Sequence, residues 1–145
     1  MRVAVGSDHR GFRLKERLLT YLCAHGHKVM DLGTDSEEST NYPDFAFRVA
    51  EAVIKHQAQR GILICGTGIG MSIAANRVPG IRAALCCDMS MARLSRLHNN
   101  ANVLCLGGDM VTEPMAKRIV SVWLRTGFLR GRHRRRLEMI DKKGV

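Results

Sequence analysis

Cys65 stands at the lip of a glycine-rich turn, Gly66-Thr67-Gly68-Ile69-Gly70. The run before it, Gly61 to Ile64, is short and apolar, as in a strand covered on both faces. The small residues from Ser72 to Asn76 then set up a helix. Alternating glycines let the backbone turn sharply and come close to a ligand. A helix start presents free N–H groups and a partial positive charge, so the turn is a candidate cradle for phosphate or for an oxyanion. The same setting favours a thiolate, which can act as a nucleophile or as a proton-abstracting base. A cysteine by itself is more often a small core residue; its position is what singles out Cys65.

Other side chains could join it. Asp8-His9 follows the first apolar run, and His98-Asn99 lies in a polar turn. Arg132 and Arg136 are four apart and so project from one side of a helix, and two guanidinium forks suit a phosphate monoester dianion. The same basic run, Arg130 to Arg136, also has the composition of a solvated face or a nucleic-acid patch. Few aromatics stand near it for base stacking, which disfavours nucleic acid. The glycine spacing is Gly-x-Gly-x-Gly rather than the dinucleotide Gly-x-Gly-x-x-Gly, although Asp88 follows at a fitting distance. Asp8-His9 is too little for a metal site, and no second cluster has ligand spacing. No cofactor or metal is expected.

Composition narrows the class. The chain has 145 residues, 46% hydrophobic and 25% charged, enough for one domain with a real core. The formal charge is +10, and residues 125–145 hold eight Lys or Arg against two acids. That excess calls for an acidic partner, and a small phosphate ester is sufficient. No apolar run reaches the length of a membrane span. The chain enters a strand pattern at Met1–Gly6 with no signal-peptide pattern ahead of it. Five cysteines lack disulfide or metal spacing, so a reduced, cytoplasmic protein is expected.

The elements that must position these residues alternate. Strands are expected over Arg2–Gly6, His27–Leu32, Gly61–Ile64, Ile81–Cys86 and Val103–Leu106. Helices are expected over Phe12–Ala24, from Pro43-Asp44 onward, from Ser72, after an Asp88 or Ser90 cap, and after a Thr112 cap. Met91, Leu94 and Leu97 form one side of the fourth helix, and Met115, Ile119, Val122 and Trp123 the inner side of the fifth. A basic helix closes the chain within Gly127–Lys143. The pattern predicts a three-layer, doubly wound, Rossmann-like α/β sandwich around a roughly five-stranded parallel sheet, as one domain over residues 1–145. Ligands in such sheets sit at the carboxyl ends of strands, which places Asp8 and His9 near Cys65. His98 ends a crossover helix, and the tail starts after another, so His98, Arg132 and Arg136 belong to the opposite edge. They can serve the Cys65 turn only in a neighbouring subunit. A two-fold homodimer with shared sites is therefore expected, with the tail 127–145 against the partner; pairing of dimers into tetramers is left open.

Taken in order, these motifs resemble the ribose-5-phosphate isomerase B and galactose-6-phosphate isomerase subunit family. The resemblance runs through Gly6-Ser7-Asp8-His9, Gly11-Phe12, Leu14-Lys15, Asp31-Leu32-Gly33-Thr34, Tyr42-Pro43-Asp44, Gly61 to Arg77 and Gly80-Ile81-Arg82-Ala83. Leu94 to Asn99, Asn102-Val103-Leu104 and Gly131-Arg132-His133 with Arg136 complete it. It implies an aldose–ketose isomerase working through a cis-enediolate without cofactor or metal. Carried over by position, it makes Cys65 the base between C1 and C2 and Thr67 the proton shuttle. His98 opens the sugar ring with Asp8. The turn, including Gly66, Gly68 and Gly70, holds the enediolate oxygens; Asn99 holds a hydroxyl; His9, Arg132 and Arg136 hold the phosphate. One branch of the family has Cys at position 65; the other has Gly there and Glu at position 71. With Cys65 and Met71 this chain resembles the first. Ribose 5-phosphate to ribulose 5-phosphate is the implied reaction, with a hexose 6-phosphate isomerase or a non-catalytic sugar-phosphate or nucleotide binder as alternatives. Many relatives carry a phosphate-contacting arginine where this chain has Asp109, and Arg10, Arg134 and Arg135 are the candidates to compensate.

Overall fold

A computed structural model describes residues 1–143; residues 144 and 145 of the basic tail lie outside the described residues. Five parallel strands, β1 (Arg2–Ser7), β2 (Lys28–Asp31), β3 (Arg60–Cys65), β4 (Ala83–Leu85) and β5 (Val103–Gly107), form one sheet in the order β2-β1-β3-β5-β4. Six helices complete the chain: α1 (Phe12–Ala24), α2 (Tyr42–Ile54), α3 (Ile69–Ala75), α4 (Met89–Asn99), α5 (Glu113–Arg125) and α6 (Arg132–Lys143). Leu14, Leu18 and Leu22 of α1, Ala92 of α4 and Ile119, Val120 and Trp123 of α5 pack on one face of the sheet. Phe45, Val49 and Val53 of α2 and Met71, Ala74 and Ala75 of α3 pack on the other. The expected three-layer α/β sandwich is thus observed. The central strands β1, β3 and β5 are covered on both faces, as their unbroken apolar runs require.

Several boundaries differ from expectation for local reasons. Helix α3 begins at Ile69 rather than Ser72, because Gly68 takes φ +81° and turns the chain straight into the helix. Strand β4 keeps only Ala83–Leu85: ahead of it Asn102 Oδ1 accepts from Arg82 N–H at 2.8 Å, and beyond it Cys86 N–H makes a last bond to the Cys105 carbonyl at 3.1 Å before Asp88 Oδ1 accepts from Met91 N–H as the α4 cap. Met115 and Val122 are only partly buried, and Ala116 and Val120 take the inner positions of α5.

The larger correction concerns α4. Its buried residues are Ala92, Ser95 and Arg96, while Met91 and Leu94 are exposed. The small side chains let α4 lie close to α5. Arg96 follows them inward because it has partners there: its Nε donates to the Thr126 carbonyl at 3.1 Å and its Nη1 to Asn100 Oδ1 at 2.9 Å, over the ring of Trp123. Burial, with Arg60 and Arg82 nearby, brings its pKa down to about 10. Lys15 is the other buried cation. Its Nζ meets Asp31 and Glu16 at 2.8 Å each, which pins α1 to the end of β2. Burial acts against its charged form, but the two carboxylates outweigh it and hold the pKa above the ordinary lysine value. Its role is structural, a buried charge kept because it is paired.

Candidate active site

The sheet order fixes where chemistry can gather. Connections leave β1 toward one face and β3 toward the other, so the crevice between their carboxyl ends is the switch point where ligands bind in open α/β sheets. Register puts Ser7 beside Ile64, and Asp8 N–H donates to the Ile64 carbonyl at 3.3 Å. Asp8 and Cys65 therefore stand side by side, as expected from sequence. On the other side Cys65 pairs with Gly107, and Gly108 N–H donates to the Cys65 carbonyl at 2.8 Å.

Cys65 is buried, and its sulfur accepts the N–H of Gly68 at 3.2 Å. The turn is folded back over its own thiol. Gly68 must be glycine for this: beyond its positive φ, a Cβ would lie 2.9 Å from the Leu106 carbonyl carbon. Thr67 is exposed, and its Oγ1 accepts from Ile69 N–H at 3.2 Å, which leaves its hydroxyl hydrogen free to donate. Among the described residues, the N–H groups of Gly70 and Met71 in the first turn of α3 have no acceptor. Met71 is fully buried, so position 71 offers packing and no acid. Burial pushes the neighbouring thiols up, Cys86 to about 11 and Cys105 higher still. None of the five cysteines is in a disulfide.

The loop after β1 is shaped by Asp8, which is buried. One carboxylate oxygen accepts the N–H groups of Arg10 and Gly11 at 3.0 Å each, and the other accepts no hydrogen bond among the described residues. His9 Nδ1 accepts the Thr40 N–H at 3.2 Å, so its Nε2 carries the proton and can donate to an anion. The sequence did not mark Thr40, which lies in the long polar loop before α2 and is found only through this contact.

His98, Asn99, Arg132 and Arg136 are not brought to this crevice by their own chain. His98 and Asn99 end α4, and Ala101 N–H bonds back to Ser95 O just before β5 begins. They lie at the amino edge of the sheet, a strand length or about 17 Å from Cys65. The tail meets them there. Leu129 N–H donates to the Leu97 carbonyl at 3.0 Å, and the His98 ring stacks on His133 with centroids 4.2 Å apart and planes 13° from parallel. His133 is buried, whereas Arg132, Arg136 and Asn99 are exposed. His133 carries no role expected from sequence; one residue on from Arg132 it is turned about 100° around the helix, and with Leu137 it forms the buried side of α6. Among the described residues no group of three His, Cys, Asp or Glu side chains is placed to hold a metal, and no helix is long and apolar enough to cross a membrane.

Comparison with known proteins places this arrangement. The sequence pattern of the family described as Ribose/Galactose Isomerase matches residues 3–140. The ribose-5-phosphate isomerase B of Escherichia coli is 48% identical over 139 residues, covering 96% of this chain and 93% of that protein. A structure of Clostridium thermocellum ribose-5-phosphate isomerase B superimposes with a TM-score of 0.98 at 50% identity, covering 99% of this chain and 97% of the other. A protein of Pectobacterium atrosepticum named D-erythrulose-4-phosphate isomerase is 42% identical over 139 residues, covering 95% of this chain and 91% of its own length. Matched along nearly its whole length, the chain belongs to the ribose/galactose isomerase family, and with that membership it is an aldose–ketose isomerase.

Proposed function

We propose that the protein interconverts ribose 5-phosphate and ribulose 5-phosphate through a cis-enediolate, at sites shared between two copies of the chain. One observation carries this best: Asp8 and Cys65 lie side by side at the β1/β3 crevice under a glycine turn, while His98, Arg132 and Arg136 lie at the opposite edge of the sheet. In the proposed cycle His98 of a second copy, with the free oxygen of Asp8, opens the sugar ring. Cys65 thiolate removes the proton on C2, and the electron pair of that bond forms the C1–C2 double bond as charge moves onto O1. Thr67 carries the O2 proton to O1, and Cys65 returns its proton to C1. The turn from Gly66 to Gly70 supplies N–H donors for the developing charge, a term for which one lost donor can cost about 10²–10³-fold. His9 holds the phosphate with Arg132 and Arg136 of the second copy, whose Asn99 takes a hydroxyl. No cofactor or metal is needed, because the proton and electron pair stay within the sugar and these side chains.

Assembly has its own support. Ile69 and Ile73 on α3 and Met91 and Leu94 on α4 are exposed on either side of the short edge strand β4. Apolar surface beside an open strand edge marks an interaction face. The basic tail from residue 127 reaches over the partner in this assembly, a homodimer of one-domain subunits. Free thiols throughout suit a reducing, cytoplasmic setting. Relatives of similar identity carry names for four- and five-carbon substrates, so the test is turnover across tetrose, pentose and hexose phosphates. Ribose 5-phosphate is expected to give the highest kcat/KM; a preference of tenfold or more for another sugar would overturn the assignment.

A further inference from the structure

One charged pair stands directly over the Cys65 turn. Arg10 is ion-paired with Asp109, and both side chains hang above Gly66. A Cβ on Gly66 would lie 3.0 Å from Arg10 Nε and 3.0 Å from Asp109 Oδ2. Their backbones are fastened to the site as well. Arg10 N–H donates to Asp8 Oδ1 at 3.0 Å, and Asp109 N–H donates to the Gly66 carbonyl at 3.0 Å. The loops after β1 and β5 are thus both tied to the residues flanking Cys65, and the pair bridges them. Its side chains are 61% and 40% exposed, so it contributes little to folding. Its placement has to be explained by what passes over the turn.

We infer that Arg10 is a phosphate ligand supplied by the subunit that owns the Cys65 turn, and that Asp109 is a positioning residue that aims it and offsets its charge. The inference rests on the sugar-phosphate reading above. A guanidinium has five N–H donors in a planar fork. Asp109 engages Nη2, Nε lies over Gly66, Nη1 has no partner among the described residues, and the side chain is largely exposed above the turn, on the residue after His9. A phosphate is fully charged before the reaction begins, and so competes with Asp109 for Arg10 in the ground state. Arg10 therefore acts on binding more than on turnover. Asp109 has the opposite sign of effect, because its carboxylate both orders Arg10 and repels a dianion.

The signs make the test. Steady-state kinetics with ribose 5-phosphate would be measured for wild type, Arg10→Ala, Asp109→Asn and the double variant. Binding of ribitol 5-phosphate, which has no carbonyl to isomerise, would be followed by calorimetry in the same samples. Arg10→Ala leaves an unpaired carboxylate facing the phosphate, and both KM and the ribitol 5-phosphate Kd should rise about tenfold or more, as for loss of a charge-assisted hydrogen bond, with kcat within about threefold. Asp109→Asn keeps an acceptor for Arg10 and removes the negative charge, so KM should fall about two- to threefold at low salt. The double variant should bind better than Arg10→Ala alone. An unchanged KM and Kd in Arg10→Ala, or a loss confined to kcat, would overturn the phosphate assignment; a double variant as weak as Arg10→Ala would overturn the role of Asp109. Failure of the isomerase reading looks different. Wild type would then not turn over ribose 5-phosphate, while the ribitol 5-phosphate titrations would still report on Arg10.

Discussion

At the carboxyl edge of the sheet, Asp8, Cys65, Gly66 and Gly68 are buried and held by backbone hydrogen bonds from three neighbouring loops. At the amino edge, Asn99, Arg132 and Arg136 ride exposed on the ends of α4 and α6, where the His98–His133 stack and the Leu129–Leu97 main-chain bond join the two segments. The first region is the more tightly held, which suits the base proposed at Cys65. The second presents long cationic side chains that are unconstrained until something anionic meets them. Each edge lacks what the other has. A chain that folds both halves correctly still cannot close them on each other across a strand length of sheet.

The sharpest way to break this contrast is to disable the edges in separate chains. Cys65→Ala should lower kcat by about 10²–10⁴ with little change in KM, the signature of a lost base. His98→Ala should be impaired on its own for a ring-closed substrate. When the two variants are mixed and allowed to exchange, half the dimers carry one intact site of two, so about a quarter of wild-type turnover should return. If exchange is shown by mass spectrometry and no activity returns, the two edges do not complement each other.

A second prediction sharpens the rigid side. Gly68→Ala forces a side chain into positive φ and against the Leu106 backbone, at a cost of about 1–3 kcal/mol. Thermal unfolding should shift down by several degrees, and kcat should fall too, because the donor to the Cys65 sulfur is displaced. A variant with unchanged melting and kcat would mean that the turn is looser than its contacts imply.

The smallest expected effect tests the amino edge. Burial, then His98, Arg132 and Arg136, hold the His133 pKa below its ordinary value. Between that lowered value and about 6.5 the unfolded chain binds more protons than the folded one, so stability falls as pH drops through this window. His133→Phe keeps an aromatic ring against His98 and removes the titration. Its melting temperature should change less than that of wild type between pH 7.5 and pH 5.5. Parallel curves would show that His133 does not couple the tail to pH.

Much of this was legible in the chain because it depends on local order. Alternating apolar runs and helical periods gave the layers, and Asp88 and Thr112 cap α4 and α5 as their positions demand. The parity of strand and crossover helix was enough to separate Cys65 from His98 before any coordinates. What the tertiary structure alone decided was partnership. The order β2-β1-β3-β5-β4, the inward turn of Arg96 toward Trp123 and the pairing of Asp109 with Arg10 all join residues far apart in sequence. Periodicity says that a helix has an apolar side. Whether that side faces the core or a second molecule depends on which buried carbonyls and rings compete for the neighbouring positions, and on α4 a single arginine with the right partners reversed the expected face.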